Sequence, residues 1–379
     1  MMACLRLRCA ATAIALQLFL GGCASMIPAY QRPAAPVAAA YPGVPAAQDS
    51  SAAASDIEWQ DFFSDARLQR LIGAALHNNR DLRVAILNIE QARAQLQLRR
   101  ADELPTVGIG ASGSRQPSGS GSIASVYSAG LAVTAYELDF FGRVRSLSAA
   151  ALAQYLATEE ARKNVQIALV SAVANTYLNL LADDALLALT RRTLVTREDS
   201  LKLTKLKFEV GAASELDYRQ AESLREGARA TLAQLMRQRA LDENALVLLL
   251  GQALPADLPQ GAEIGDQMLI GELPAGMPSE VLARRPDVRQ AEQQLIAANA
   301  NIGAARAAFF PKISLTGSAG TASSQLSGLF RSGSAAWSFM PQLLLPIFDS
   351  GRNQATLDVA NVNRDIALAQ YENGRRPRR

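Results

Sequence analysis

The chain has 379 residues, of which 49% are hydrophobic and only 6% aromatic, and its formal net charge is +3. So small a net charge gives no sign of nucleic-acid binding, and we predict no nucleic acid among the partners. The abundance of Ala, Leu, Gln, Arg and Glu favours long helices over a compact β-sandwich.

The N-terminus has the pattern of a lipoprotein signal peptide, which we assign to residues 1–22. Its apolar stretch, Ala10–Leu20, is too short to span a bilayer as a stable anchor. The sequence LGGC, which ends at Cys23, resembles a lipobox and predicts diacylglycerol and N-acyl lipid on Cys23. Ala24 then implies sorting to the outer membrane. The alternative is an ordinary signal peptide with an incidental cysteine.

Residues 23–58 are rich in Pro and Ala and are predicted to form a lipidated, extended tether. Cys4 and Cys9 lie in the signal, so the mature chain would hold Cys23 alone. That excludes a disulfide or a cysteine-based metal site, and apart from the lipid no cofactor is predicted. Because one lipid group binds membranes modestly, we expect a second membrane attachment.

The first of two internal repeats covers residues 59–286. Apolar residues recur at spacings of three and four from Asp65 to Glu103, which predicts a helix that Pro105 ends. The period then becomes two, which predicts strands near 104–113 and 126–141 separated by a Ser/Gly loop. One face of these strands is apolar and the other small or polar, as in a barrel strand with lipid outside and water inside. A half-buried soluble hairpin would give the same alternation.

A long helical hairpin is predicted over residues 142–250, followed by a linker over 251–286. Gly211 is the natural break, and about 67 helical residues before it would extend roughly 100 Å. An isolated pair of such helices has little core of its own, so we expect coiled-coil packing with neighbours. Residues 165–182 are apolar enough to be weighed as a membrane span, but their polar residues favour a buried bundle helix.

The second repeat covers residues 287–379 and aligns with the first at an offset of 206, which places Pro105 opposite Pro311. It predicts a helix, strands near 311–320 and 335–347, and the start of a last long helix. Four strands cannot close a membrane barrel, and an open edge in lipid leaves backbone groups unpaired. Other chains must therefore complete the barrel.

The arrangement resembles the outer-membrane factor (TolC-like) family, in the lipoprotein branch that serves resistance-nodulation-division efflux pumps. The resemblance runs from Trp59 to about Glu372. It is carried by WQDFFSD (Trp59–Asp65), YELDFFGR (Tyr136–Arg143) and LPAGMPSEVLARRPDV (Leu273–Val288). In the last of these, Pro286 is suited to open a helix with Asp287 in its first turn.

This resemblance implies an α+β membrane protein that forms a homotrimer. Four strands from each chain would make a twelve-stranded outer-membrane β-barrel, and the helices a periplasmic α-barrel. The channel would be a passive exit duct for small molecules. An inner-membrane efflux pump would supply the energy, and a periplasmic adaptor would join pump and channel. The contacting lipid would be that of the outer membrane.

The tip of the first hairpin resembles the family's adaptor-docking turn. The residues that carry this resemblance are Val210, Gly211, Ser214, Leu216 and Asp217. Gly211 allows the positive φ that a tight reversal needs, and Ser214 or Asp217 can cap the returning helix. The alternative is that these residues only make the turn.

The second repeat departs from the family pattern because only 27 residues follow Arg352. We expect a frameshifted or truncated gene product that cannot build a complete tunnel alone. The alternative is a natural short variant with a basic tail. The family's acidic gate residues would lie in the missing segment, so none is assigned.

No enzyme is predicted. Gly108, Gly110 and Gly113 match a dinucleotide-binding pattern, but they lie inside an alternating segment and not between a strand and a helix. His77 stands among polar residues of a helical stretch, which indicates a surface or interface role. Two rival functions remain: the outlet of a type I protein secretion system, and a structural coiled-coil lipoprotein without a pore.

Overall fold

The computed structural model describes residues 25–33, 57–117, 119, 121–263 and 284–374. The chain divides into two compact units. We call the first the sheet unit, which comprises the described parts of 1–38, 88–160 and 285–379. The second is the hairpin unit, which comprises the described parts of 39–87 and 161–284. The predicted signal peptide, most of the tether and much of the predicted linker lie outside the described residues.

Helices and strands follow each other in the order that both repeats predict. The helices are α1 (Trp59–Phe62), α2 (Ala66–Asn78), α3 (Arg80–Ala101), α4 (Arg143–Glu209), α5 (Glu215–Leu250), α6 (Pro286–Ala307) and α7 (Arg352–Gly374). The strands are β1 (Val107–Pro117), β2 (Ile123–Leu138), β3 (Lys312–Ser323) and β4 (Ala335–Leu344). The predicted fold class, long helices with four strands, is confirmed.

An apolar core shared by α2, α4 and α5 holds the hairpin unit together. Its buried members include Leu68, Leu71, Ile72 and Ala75 of α2, Val173 and Tyr177 of α4, and Leu246 and Leu250 of α5. Spacings of three and four residues place the members from α2 on one helical face. Burying one such leucine contributes roughly 1.5–3 kcal/mol. This core therefore fixes α2 against the two helices of the hairpin.

The helix predicted from Asp65 to Glu103 is instead two helices, α2 and α3, separated at Asn79. The backbone of Asn79 is extended, with ψ at 133°, which ends α2. Its side-chain oxygen accepts a 2.9 Å hydrogen bond from the N–H of Leu82, and its side-chain nitrogen donates to the carbonyl of Leu249 at 2.9 Å. The prediction of one helix was wrong because the break depends on a contact distant in sequence.

Among the described helices, α4 has the length and apolar composition to cross a membrane. One of its faces, with Val173 and Tyr177, is buried in the core of the hairpin unit. Ser171 and Asn175, at helical spacing from each other, are exposed. A helix that packs on protein with one face and presents polar groups on the other fits a bundle better than a lipid span.

The four strands form one antiparallel sheet in the order β1-β2-β3-β4, so β1 and β4 are its edges. The strands of the first repeat are shifted toward the loop between them, because residues 114–117 pair with 123–126 in a region predicted as a loop. β1 begins at Val107 and β2 ends at Leu138, three residues inside the predicted outer bounds of 104 and 141. β3 continues to Ser323, whereas β4 ends at Leu344, short of the predicted 347. Backbone pairing between neighbouring strands extends them into segments that do not continue the alternating pattern clearly enough to be predicted as strand.

The long helices of the two repeats begin with the same backbone conformation and the same kind of cap. Gly142 before α4 and Gly351 before α7 have positive φ values of 73° and 82°. An aspartate just upstream accepts a hydrogen bond from a first-turn N–H in each case, Asp139 from Arg145 at 2.8 Å and Asp349 from Asn353 at 2.8 Å. The glycine allows the turn out of the sheet, and the carboxylate satisfies an otherwise unpaired helix donor.

Candidate functional site

The register of the sheet divides its side chains into two faces, because residues paired directly across antiparallel strands point the same way. The apolar face includes Val107, Ile109, Leu131, Val133, Ile313, Leu315, Trp337, Phe339 and Leu343. The small-residue face includes Gly108, Gly110, Ser112, Ser128, Gly130, Ser318, Gly320, Ser338 and Gln342. On the single chain Ile109 is 88% exposed and Trp337 80%. Such a sheet suits a wall between lipid and water.

A β-bulge at Ala135 changes which residues of β2 belong to the apolar face. Ala135 has a φ of 50°, and the pairing of β2 with β3 shifts between Val133 and Tyr136. Tyr136 and Leu138 consequently join the apolar face, opposite apolar residues of β3. A strict period of two had placed Tyr136 on the polar face, and that prediction was wrong because a bulge inserts one extra residue.

Two serine pairs cross the small-residue face at corresponding places in the two repeats. The hydroxyl oxygens of Ser112 and Ser128 are 2.8 Å apart, and those of Ser318 and Ser338 are 2.7 Å apart. All four serines line a groove of about 400 Å³ over the middle of the sheet. Each hydroxyl can form further hydrogen bonds with water. The middle of this face is therefore hydrophilic, although the serines carry no charge.

The backbones of β2 and β3 come unusually close at a pair of opposing glycines, Gly130 and Gly320. A Cβ on Gly130 would lie 2.5 Å from the carbonyl oxygen of Ala319, and one on Gly320 would press against the carbonyl oxygen of Ala129. Only glycine fits such an approach. Gly110, next to Gly130 in β1, has open space where its Cβ would lie, so it is a natural control.

An ion cluster joins the end of β2 to the start of α4 and to β3. The carboxylate of Glu137 accepts two 2.7 Å hydrogen bonds from the guanidinium of Arg143. The ammonium of Lys312 lies 3.1 Å from the same carboxylate. A bidentate arginine fixes orientation as well as charge, so this cluster sets the angle at which the chain leaves the sheet.

Residues 25–33, which we call the N-terminal strap, lie against α6. The guanidinium of Arg32 binds the carboxylate of Glu292 with two hydrogen bonds of 2.7 and 2.5 Å, and the Tyr30 hydroxyl adds a third at 3.3 Å. Asn299 donates to the carbonyl of Pro28 at 2.8 Å. Ile27 lies so close to Gly303 that a Cβ there would be 2.7 Å from its side chain. The strap therefore runs antiparallel to α6.

The predicted tip residues lie together in the turn between α4 and α5. Gly211 has a φ of 76°, and Ser214 is the N-cap of α5 in a capping box completed by Asp217. Hydrogen bonds from Ser214 lower the pKa of Asp217. Val210 is 78% exposed and Leu216 65%. The capped turn thus exposes two apolar side chains, those of Val210 and Leu216.

The glycines of β1 and His77, which the sequence analysis considered as possible sites, lie in ordinary structural positions. Gly108, Gly110 and Gly113 lie within β1, which is paired along its length with β2, so they do not open a helix. His77 is exposed in the last turn of α2. Cys23, predicted to be lipidated, lies outside the described residues. The bulge, the serine pairs and the strap contacts were not predicted, since each depends on the exact register or packing between two elements.

The model of the outer membrane efflux protein family matches residues 71–252 and 277–376 of the chain. The chain is 51% identical, over 93% of its length and 75% of the relative's, to the probable efflux pump outer membrane protein TtgC of Pseudomonas putida. It is 50% identical to the outer membrane protein OprJ of Pseudomonas aeruginosa, over 95% of this chain and 76% of the relative.

Solved structures are similar over the same extent. The open state of the MtrE outer membrane channel of Neisseria gonorrhoeae superimposes with a TM-score of 0.82 at 44% identity, covering 93% of this chain and 79% of that one. The transmembrane channel CusC gives a TM-score of 0.80 at 41% identity, covering 93% and 80%.

Proposed function

Because the chain belongs to the outer membrane efflux protein family, whose members are transport ducts and not enzymes, we propose that it is the channel subunit of a tripartite efflux system. In this role it is a passive exit duct for small molecules. An inner-membrane efflux pump drives them, and a periplasmic adaptor connects the pump to the channel. The protein is an outer-membrane protein that extends into the periplasm.

The two-faced, four-stranded sheet is the observation that carries this proposal. Its apolar face would lie against outer-membrane lipid, and its small-residue face would line a water-filled lumen. β1 and β4 each have one side unpaired within the described residues. Unpaired backbone groups cost several kcal/mol each in hydrocarbon, so the edges need partners.

The proposed partners for these edges are two further copies of the same chain. β1 and β4 run in opposite directions, so β4 of one copy can continue the antiparallel sheet beside β1 of the next. Three copies would close a twelve-stranded barrel, which is the count that the family resemblance implies. A ring of copies related by rotation leaves no free edge.

Cysteine cross-linking tests the homotrimer and its edges together. One cysteine would replace Ser112 in β1, and a second would be moved along β4 from Ala335 to Leu344. Oxidation is expected to link separate chains into dimers and trimers only at the two or three positions of β4 that lie opposite residue 112 of the neighbouring chain. As a control, cysteines in β2 and β4, which β3 separates, should give no such ladder. Monomers at every position would overturn the proposal.

Electrical conductance separates a channel from a structural coiled-coil lipoprotein without a pore. The purified protein in planar bilayers is expected to give discrete openings, whereas a structural coiled-coil lipoprotein would give none. Expression in a strain that lacks its own efflux channel, with the cognate pump and adaptor, should then restore tolerance to small toxic compounds. Restored protein secretion without that tolerance would instead indicate a type I outlet.

We also propose that Cys23 carries diacylglycerol and an N-acyl chain. The support is the LGGC sequence, in which cleavage between Gly22 and Cys23 would make Cys23 the first residue of the mature chain. Labelling with a clickable palmitate analogue should mark the wild-type protein and leave Cys23→Ser unmarked. A labelled Cys23→Ser variant would contradict the assignment. The cross-linking result does not depend on this one, so the two proposals fail separately.

The tip of the hairpin is proposed as the adaptor contact. Its exposed Val210 and Leu216 stand on a turn that Gly211 and the Ser214–Asp217 capping box hold in shape. Val210→Asp should lower adaptor capture in pull-down and abolish efflux, while conductance in bilayers is unchanged. Leu224→Asp is a matched control, because Leu224 is a 53% exposed apolar residue of α5 away from the tip. Equal losses in both variants would contradict a role for the tip.

A further inference from the structure

One carboxyl oxygen of the helical hairpin is buried without a donor. Asp183 lies on α4 and is only 8% exposed. Its Oδ2 has no hydrogen-bond partner within the described residues. Burying an unsatisfied carboxylate oxygen costs more than the loss of an ordinary hydrogen bond, so such an atom in a native structure calls for a physical cause.

A second carboxyl, that of Asp242 on α5, faces Asp183 across the hairpin. The two are close enough to share a hydrogen bond. Asp242 already accepts one such bond, at 3.1 Å, from the side-chain nitrogen of Gln238 on its own helix. Two ionised carboxylates are both acceptors and repel each other, so a hydrogen bond between them requires a proton.

The cation beside this pair is engaged elsewhere. Arg239 of α5 donates to Asp184 of α4 at 2.6 Å and to Glu243 of α5 at 2.6 Å. Asp184 adds a further negative charge beside Asp183. Asp183 is thus close to the negative charges of Asp184 and Asp242. The positive charge of Arg239 is shared between Asp184 and Glu243.

We propose that Asp183 and Asp242 form a proton-binding site, in which one proton held between the two carboxyls ties α4 to α5. The proton gives the buried Oδ2 the hydrogen bond that it otherwise lacks, and it removes one of two like charges. Two carboxyls that lie close together commonly share a single proton, because both cannot be ionised at once without strong repulsion. This site goes beyond the exit-duct function and makes the hairpin sensitive to periplasmic pH.

The pKa of Asp183 is raised, as a shared proton requires. Burial raises the pKa of Asp183, the hydrogen bond and charge of Asp242 raise it further, and Arg239 opposes them in part. The folded hairpin therefore holds this proton more tightly than the unfolded chain does. Its stabilising contribution is complete below the usual aspartate pKa, near 3.9. It is lost as the pH rises through the raised value.

Isosteric amides test the site. In Asp183→Asn the amide donates to Asp242 at every pH, and Asp242→Asn offers the same exchange from the other side. Asp199→Asn is the matched control, because it removes an exposed carboxylate of the same helix, more than four turns away from the pair and from Arg239. The measurement is infrared difference spectroscopy of the full-length protein in detergent, between about pH 6 and about pH 8, where carboxyls with a pKa near 4 are almost fully ionised.

Wild type and Asp199→Asn are expected to show the C=O band of a protonated carboxyl at the lower pH, and Asp183→Asn and Asp242→Asn are expected to lose it. The wild-type melting temperature should fall by a few degrees over the same interval, and by less in Asp183→Asn. A wild-type spectrum without this band, or a band that persists in both amide variants, would overturn the proposal. Neither result depends on pump, adaptor or conductance.

Discussion

The hydroxyl of Tyr177 donates a 2.7 Å hydrogen bond to Oδ2 of Asp65, and the other oxygen of that carboxylate caps α2 by accepting from the N–H of Arg67 at 2.8 Å. One buried aspartate therefore serves as helix cap and as anchor for α4. Burial and the charge of Asp65 raise the pKa of Tyr177, so its hydroxyl remains a donor at every physiological pH. This contact joins the start of α2 to the middle of the long helix.

Tyr177→Phe should destabilise the protein by about 1–3 kcal/mol, because the buried carboxylate loses a donor that water cannot replace. Thermal denaturation followed by circular dichroism would measure the change. Tyr218→Phe, near the tip of the hairpin, is the control and should leave the melting temperature unchanged. Equal melting temperatures for wild type and Tyr177→Phe would show that the hydrogen bond contributes nothing.

Gly320→Ala should impair folding of the sheet, because its Cβ would press against the backbone of β2 and neither strand can move without breaking pairs. We expect a loss of about 1–3 kcal/mol and a smaller fraction of protein with folded mobility on unheated gels. Gly110→Ala makes the same chemical change on the same face where space is open, and should fold like wild type. Similar behaviour of the two variants would refute the close approach.

Glu292→Gln should loosen the N-terminal strap. Glu292 is largely buried, and its two oxygens receive Arg32 and Tyr30. Because half of the Arg32 side chain is exposed, we expect a loss of about 1 kcal/mol, or roughly fivefold in strap opening. Limited chymotrypsin digestion after Tyr30 would report it as faster cleavage. Asp358→Asn on α7, an exposed carboxylate, is the control. Unchanged cleavage in Glu292→Gln would mean that other contacts hold the strap.

Local signals predicted much of the architecture. Pro286 opens α6, and Gly211 makes the hairpin turn with the positive φ expected of it. The alternation in the strands assigned most side chains to the correct face, and the repeat aligned Pro105 with Pro311. These features depend on residue type and short-range spacing, which a sequence shows directly.

Long-range contacts account for what the sequence did not predict. The break at Asn79 is stabilised by Leu249, and Glu292 binds a strap more than 250 residues earlier in the chain. The bulge at Ala135 changes the face of every later residue in β2 without a glycine or proline to mark it. The proton site likewise needs Asp183 and Asp242 side by side, which only the packing of two helices provides.

The apolar face of the sheet is expected to contact lipid, and the fluorescence of Trp337 tests this directly. The chain has two tryptophans, so in Trp59→Phe the fluorescence comes from Trp337 alone. Trp337 stands on the apolar face and is 80% exposed on the single chain. In liposomes we predict strong quenching by brominated lipid and little by aqueous acrylamide. Strong acrylamide quenching with no effect of brominated lipid would contradict a membrane-embedded sheet.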